Sequence, residues 1–492
     1  ERALNKESMR GNILAILALY GSIPGIMALF TRVSPRIAVL VAIIGGVLFL
    51  PMDVVGWIPF IKYDKIAAVS IGTLAGVVLF DSERLESFSL HAVDIPMLLW
   101  CSSGFMAAMS NGLGIYDALS ASSNMVLQWG IPYFLGRLYF FDREGIRILA
   151  WGIVIGAILY IPLVLFELKM SPQAHRIVYG YMQHSFAQVI RGGGYRPMVF
   201  MQHGIMLATW MCMAALTALW CYLSGAFPRR VFNIPLLPII LVLTGVAVLC
   251  KSTGAIGLLG VGFATLFGAS RSKMGIVLVI GLLLIPPLYI GARASGSWDG
   301  QNVVDFVANT ISEDRAESLK FRLDNENILL NKALEKPFFG WGGWGRSRVY
   351  DPVTGEDIST TDGFWIIALG QKGYYGLFSV VLVLWLPMLL TLVTYPPWRW
   401  QTADNAPVAV VSMIVLLFLV DGMLNCMINP VYILFAGAVS GHFLQIGVRS
   451  QDVQPDRGLA QESLSQTGPS QPRTYLPTLR MLSHPNPYFR YI

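Results

Sequence analysis

The sequence predicts an all-α fold: a polytopic transmembrane helix bundle of about 12–13 spans with one large extracytoplasmic loop. Three observations predict it. Of the 492 residues, 55% are hydrophobic and only 13% are charged, which excludes an ordinary soluble domain. Apolar stretches near the roughly 20 residues that a spanning helix needs recur along most of the chain. One long polar insert, 295–362, interrupts them. The net charge of +6 is modest and in such a chain reflects topology, so no nucleic-acid partner is implied. The five cysteines lie in or beside apolar runs with no metal-ligand spacing, and buried free thiols are expected.

Candidate spans, in order, are 12–30, 36–52, 66–81, 95–112, 120–137, 146–167, 198–223, 232–250, 252–270, 273–293, 372–394, 406–425 and 429–447. Segment 53–65 reads as an interfacial turn. No internal repeat is visible, so the inverted-repeat signature of many secondary transporters is missing. Alternating spans put Arg32, Arg36, Arg84, Arg137, Arg143, Arg147, Arg229, Arg230, Arg271, Lys273 and Arg399 on one side, which is then cytoplasmic. Loops 169–196 and 295–362 face the other way. The same alternation puts Arg2, Lys6 and Arg10 outside, against the rule, and points to a misassigned early span or an incomplete beginning. Two regions follow: a bundle over 1–450, long loop included, and a disordered cytoplasmic tail over 451–492, rich in Pro, Ser, Gln and Arg.

Within the long loop, Ser312 followed by Glu313 and Asp314 marks a helix start, with acids where the dipole favours them. The helix should end near Glu335, before Pro337. Leu319, Leu323, Leu330 and Leu334 recur at helical spacing, giving an apolar face that lies on the membrane or caps the bundle. The following run Gly340–Gly345 suits a sharp turn whose amides could approach a ligand, which makes Gly340 and Gly342 candidate substrate contacts.

Charged residues at the outer helix ends are the candidates for chemistry. Arg191 and Arg196 flank the flexible Gly192–Gly194, with His203 just inside the next span. Guanidinium groups there suit a lipid-linked phosphate or diphosphate, because they bind its oxygens in a fork; the plainer reading is snorkelling to headgroups. Lys251, in the hairpin between two spans, could neutralise the same phosphate or be a simple turn residue. Arg322 on the loop helix faces the same choice. Asp362 lies where the loop re-enters the membrane. Partial burial there could tune it as a general base, or it could cap the next helix. Asp421 is an intramembrane acid, functional by default, or a hydrogen-bond partner of Asn425. No Walker A loop, HExxH, GxSxG or paired Cys/His site is present, so the chain implies no cofactor and no metal.

Several short motifs resemble those of the O-antigen ligase/polymerase superfamily. They are Arg322, then Ala333–Gly342 with its Pro337 and Gly340, then Thr361–Trp365, then Gln371–Gly376. Lys251–Ala255 resembles that family's Ser-Arg-Gly-like motif two spans earlier. The resemblance covers roughly 190–395. Asp362 stands where the ligases carry histidine, Gly363 where an asparagine follows, and Thr253 where many members carry arginine. A polymerase or another polysaccharide-transferring member is therefore favoured over a lipid A-core ligase.

The resemblance implies a metal-independent, inverting membrane glycosyltransferase in the bacterial inner membrane. Its donor would be a polyprenyl-diphosphate-linked glycan, and its acceptor a glycan or lipid-linked molecule. It implies that Asp362 deprotonates or orients the acceptor hydroxyl. Arg196, Arg322 and Lys251 would stabilise the departing diphosphate, and Arg191 would assist docking. Two rival classes remain: a small-anion transporter with Asp421, Asn425 and Asn111 lining its path, as in bicarbonate-carrier-like relatives, and a non-catalytic envelope-assembly protein.

Overall fold

A computed structural model describes residues 11–52, 57–58, 60–191, 193–231 and 233–452. Backbone contacts divide the chain into two units, Glu1–Ile446 and Gly447–Ile492, and of the second only the end of one helix is described. The first unit is a helix bundle. Its helices are α1 (Ile13–Phe30), α2 (Pro35–Phe49), α3 (Lys65–Phe80), α4 (Ile95–Ser110), α5 (Ile115–Met125), α6 (Ile131–Tyr139), α7 (Arg143–Met170), α8 (Ala174–Tyr179), α9 (Gly204–Leu223), α10 (Leu236–Leu249), α11 (Thr253–Arg271), α12 (Ile276–Ala294), α13 (Gln301–Thr310), α14 (Glu313–Leu334), α15 (Phe364–Thr394), α16 (Ala406–Asp421) and α17 (Pro430–Asp452). Among the described residues, seven helices are long and apolar enough to cross a membrane, and shorter apolar helices lie between them.

Local signals set the starts. The Asn12 side chain accepts from Ala15 N and caps α1. Pro35 opens α2, where a missing N–H costs nothing. Asp64 caps α3 by accepting from Ile66 N and Ala67 N. The expected span 120–137 is α5 and α6 joined through one widened turn, Val126–Gly130. The apolar α16 is almost wholly buried and forms the centre of the bundle. Helices α6 and α17 touch backbone to backbone: a Cβ on Gly437 would strike the Tyr133 carbonyl, and one on Gly136 the Leu434 carbonyl. Small residues permit this approach, the usual route to close helix packing in lipid.

The bundle has two ends. At one, the basic-loop end, Arg36 pairs with Asp142, Arg143 and Arg147 approach Asp404, and His442 meets the Phe141 carbonyl. At the other, the long-loop end, Tyr179 O accepts from Asn12 N, the Phe49 carbonyl accepts from Tyr179, and the Phe200 carbonyl accepts from Lys65. Asn12 therefore starts α1 at the long-loop end, and α2 returns there from Arg36. The early helices thus run in alternating directions between the two ends. Arg2, Lys6 and Arg10 lie outside the described residues.

Several boundaries differ from expectation. Residues 57–58 and 61–62 form a two-strand hairpin, while 53–56 and 59 lie outside the described residues. The long loop holds two helices rather than one. The helix capped by Ser312 is present as α14, but α13 precedes it, and the two share a small core of Val304, Ala316 and Leu323. The span expected from 372 begins eight residues earlier at Phe364 and breaks at Gly373, whose φ of 63° and ψ of −166° are not helical. The last helix runs to Asp452, past the expected start of the tail, and 453–492 lie outside the described residues.

Candidate functional site

The long loop is clamped to the bundle by a buried ion pair. Arg293, in the last turn of α12, meets Glu326 on α14 at 3.1 Å, and both side chains are almost inaccessible. Glu326 also accepts from Tyr289 (2.8 Å) and from the Trp365 indole (3.0 Å). Arg293 donates further to the Leu323 and Asp299 carbonyls, so its fork is well used. Burial pushes the Glu326 carboxyl above its usual value, and its donors Trp365, Tyr289 and Arg293 offset only part of that. The sequence reading missed this pair. The available signal was spacing: Glu326 stands four residues after Arg322 and so shares its helix face.

One turn earlier on α14, Arg322 Nε lies 3.5 Å from Asp362 Oδ2. Both side chains keep contact with solvent, at 26% and 37% exposure. Asp362 does not cap α15. Gly363 occupies that position, and the first α15 amides, Phe364 N and Trp365 N, donate to the Gly422 carbonyl. That carbonyl ties the start of α15 to the end of α16. Nearby, Asp421, Asn425, Trp129, Phe364 and Phe418 line a narrow cleft. Asn425 donates to Asp421 at 2.8 Å, as the sequence allowed. Arg322 is within electrostatic range of Asp421, and Asp362 of Cys426. Arg322, Asp362, Asp421 and Asn425 thus form one neighbourhood.

Arg196 and Lys251 form a second. Strands 190–191 and 194–195 pair as a hairpin, with Gly193 in its turn at a φ of 69°. Arg196 follows and turns inward: it is 5% exposed and donates to the Lys251 carbonyl at 3.1 Å. This excludes snorkelling to headgroups. The Lys251 side-chain nitrogen lies against Gly194, where a Cβ would stand, and Lys251 itself has a φ of 54°. His203 caps α9 by accepting from Ile205 N at 3.0 Å, and its ring packs edge-on against His184 at 4.7 Å. Behind the hairpin the buried Glu167 accepts from the amides of Ala174, Met198 and Val199. Val199 has a φ of 52°, a costly conformation for a β-branched residue, and this carboxylate holds it there. The backbone of Arg191 is paired in the hairpin; its side chain and Gly192 lie outside the described residues.

Between the two neighbourhoods stands buried Tyr432. It is within electrostatic range of Asp421 on one side and Cys212 on the other, and Cys250 lies in range of both Cys212 and Arg196. The candidates therefore share one end of the bundle as two pairs, Arg322 with Asp362 and Arg196 with Lys251.

Gly340 and Gly342 do not offer amides to a ligand. Gly340 N donates to Lys336 O, Trp341 N to Gly370 O, and Gly342 N to Gln371 O. With Gly340 at a φ of 68°, this turn packs main chain to main chain on the break at Gly373. Asn111 completes the join, donating to Gly340 O at 2.8 Å and accepting from Lys336. It lies in the loop junction and not along the Asp421 cleft. Beyond the turn, Arg348 pairs with Asp357 and donates to Thr361 at 3.1 Å, one residue before Asp362. Burial tends to raise the Asp357 carboxyl, but hydrogen bonds from Arg348 and Ser359 outweigh it and hold it below its ordinary 3.8.

No protein-family model matches the chain, and no curated protein matches it significantly.

Proposed function

We propose that this chain is a multi-pass membrane glycosyltransferase of the O-antigen ligase/polymerase type. It would act at the outer face of the bacterial inner membrane, with the long-loop end outside and about 13 helices alternating across the bilayer. The donor is a polyprenyl-diphosphate-linked glycan. An acceptor hydroxyl attacks the anomeric carbon, the bond from that carbon to the diphosphate oxygen breaks with inversion, and the hydroxyl proton passes to Asp362. The observation that carries the reading is the loose, half-open Arg322–Asp362 pair, with Arg322 in electrostatic range of Asp421. Protonation of Asp362 ends its pairing and frees Arg322 to meet the charge growing on the leaving diphosphate, which is electrostatic transition-state stabilisation. Arg196 and Lys251 would receive the rest of that charge. The clamped loop helix would exclude water, which otherwise hydrolyses the donor.

The test is purified full-length protein in proteoliposomes supplied with a polyprenyl-diphosphate-linked glycan and an acceptor glycan. The reading expects donor consumption without ATP, lost in Asp362→Asn and Arg322→Gln while both variants remain inserted. Intact transfer in either variant removes that residue from the mechanism. Solute uptake by the same liposomes with no donor consumption would favour the transporter reading, which the buried Asp421–Asn425 pair keeps in view. That reading loses Asn111 to the loop junction.

A further inference from the structure

A further cavity lies beside the end of the non-helical connection 422–429, with Ile428 and Pro430 in its wall. It encloses about 540 Å³ of empty space, part of it open to solvent. Most of its wall is apolar, including Met52 and Met206, and Lys62, Asp64, Lys65 and Gln202 supply the polar part. Ile428 lines both this cavity and the Asp421 cleft.

Lys65 is the unusual member. It is 4% exposed, the first residue of α3, inside an apolar bundle. Its nitrogen donates to two backbone carbonyls, Val47 O and Phe200 O, each at 3.0 Å. An ammonium carries three donors, so one remains. Its nearest acid, Asp64, is turned to the helix, with Oδ1 accepting two backbone amides and Oδ2 3.5 Å from Gln128. Among the described residues neither Lys62 nor Lys65 forms an ion pair. Lys62 is exposed, and its backbone is fixed by Asn124. Two lysines and one aspartate leave the wall with a net positive charge. Burying a cation beside carbonyls is costly, and a ligand that supplies the missing negative charge would offset it.

We propose that this cavity binds a phosphate-bearing ligand. Lys62 and the third donor of Lys65 take the phosphate oxygens, Gln202 bonds a neighbouring hydroxyl or ester oxygen, and the methionine side covers the apolar part. None of Arg322, Asp362, Arg196 and Lys251 lines the cavity, and its binding requires no transfer chemistry.

The full chain in phosphatidylcholine nanodiscs would be titrated with inorganic pyrophosphate by calorimetry. Phosphatidic acid retention would be read in parallel by native mass spectrometry. Lys62→Gln should weaken binding about tenfold, the loss of one charged hydrogen bond, and Lys62→Arg should largely restore it. Pyrophosphate binding alone identifies a free phosphate, phosphatidic acid alone a lipid headgroup, and both together the phosphate group itself. Lys65→Met should abolish binding; if that variant does not fold, Lys62→Gln and Gln202→Ala carry the test. Two results overturn the inference. Either no probe binds, or Arg322→Gln removes the binding while Lys62→Gln leaves it unchanged. Neither depends on glycan transfer, so failure here and failure of the transferase reading are distinguishable.

Discussion

Two arginine–aspartate pairs at opposite ends of the bundle show how differently one contact can be built. At the basic-loop end, Arg137 holds both oxygens of Asp94 at 2.8 and 2.9 Å, with the side chains 7% and 3% exposed. Tyr133 adds a third donor to that carboxylate. At the long-loop end, Arg322 meets Asp362 through a single 3.5 Å contact, with 26% and 37% exposure. The first pair is dry, bidentate and saturated. The second is wet, monodentate and easily exchanged for another anion. Saturation locks an end of the bundle, and an unsaturated pair leaves room for chemistry.

That contrast can be broken from either side. The largest expected effect is at the saturated pair: Asp94→Ala strands Arg137 without its partner. It should cost roughly 3–5 kcal/mol, measurable by denaturant unfolding in detergent. Glu326→Ala, which strands Arg293, belongs to the same class and should also release the long loop to proteolysis. Next comes Gly373→Ala. It forces a side chain onto a φ of 63° against the Phe338 carbonyl, and strain of this kind costs about 1–3 kcal/mol before the clash is counted. Asp362→Asn should change stability by less than ~1 kcal/mol, as expected of a half-exposed pair, while abolishing glycan transfer. A stability loss as large as that of Asp94→Ala would show that the two pairs are alike and end the comparison.

The smallest effects are in pH dependence, and they run in opposite directions. Asp357 is held below 3.8, so its native form resists protonation. Its contribution is present above the ordinary aspartate value and lost as pH falls through the lower native one. Amide exchange in 348–361 should therefore quicken under acid. Glu326 is held above 4.5, so its native form takes up a proton more readily than the unfolded chain does. Its contribution to stability is greatest below 4.5 and shrinks as pH rises through the native value. Glu326→Gln should remove that slope and leave the acid loosening of 348–361 unchanged.

Hydropathy made the spans legible, and the Ser312 start made α14 legible, because both depend on neighbours within one stretch of chain. Arg322 and Asp362 were legible as charges at helix ends, and their contact was not, since 40 residues separate them. Helix α13 was hidden because it is only 10 residues long and its burial depends on packing against α14. Arg293 closes the span 273–293 and Glu326 lies in the loop helix, and only tertiary packing joins and encloses them. Gly340 and Gly342 were legible as a turn, but what the turn touches is another stretch of main chain, which no side-chain pattern reports. Lys65 reads as a membrane-edge lysine, and only the approach of the Val47 and Phe200 carbonyls makes it a buried one.

The seating of residues 337–342 on the Gly373 break also divides the long loop by tolerance. A join made of main chain has no side chain that could absorb a shift, so a single inserted residue between Pro337 and Gly342 would put every later amide out of step. The reverse turn at 351–356 bonds chiefly to itself through Asp351 and is open to water. An affinity tag or a fluorophore for following loop motion therefore belongs there, where added length would leave both anchored edges in place.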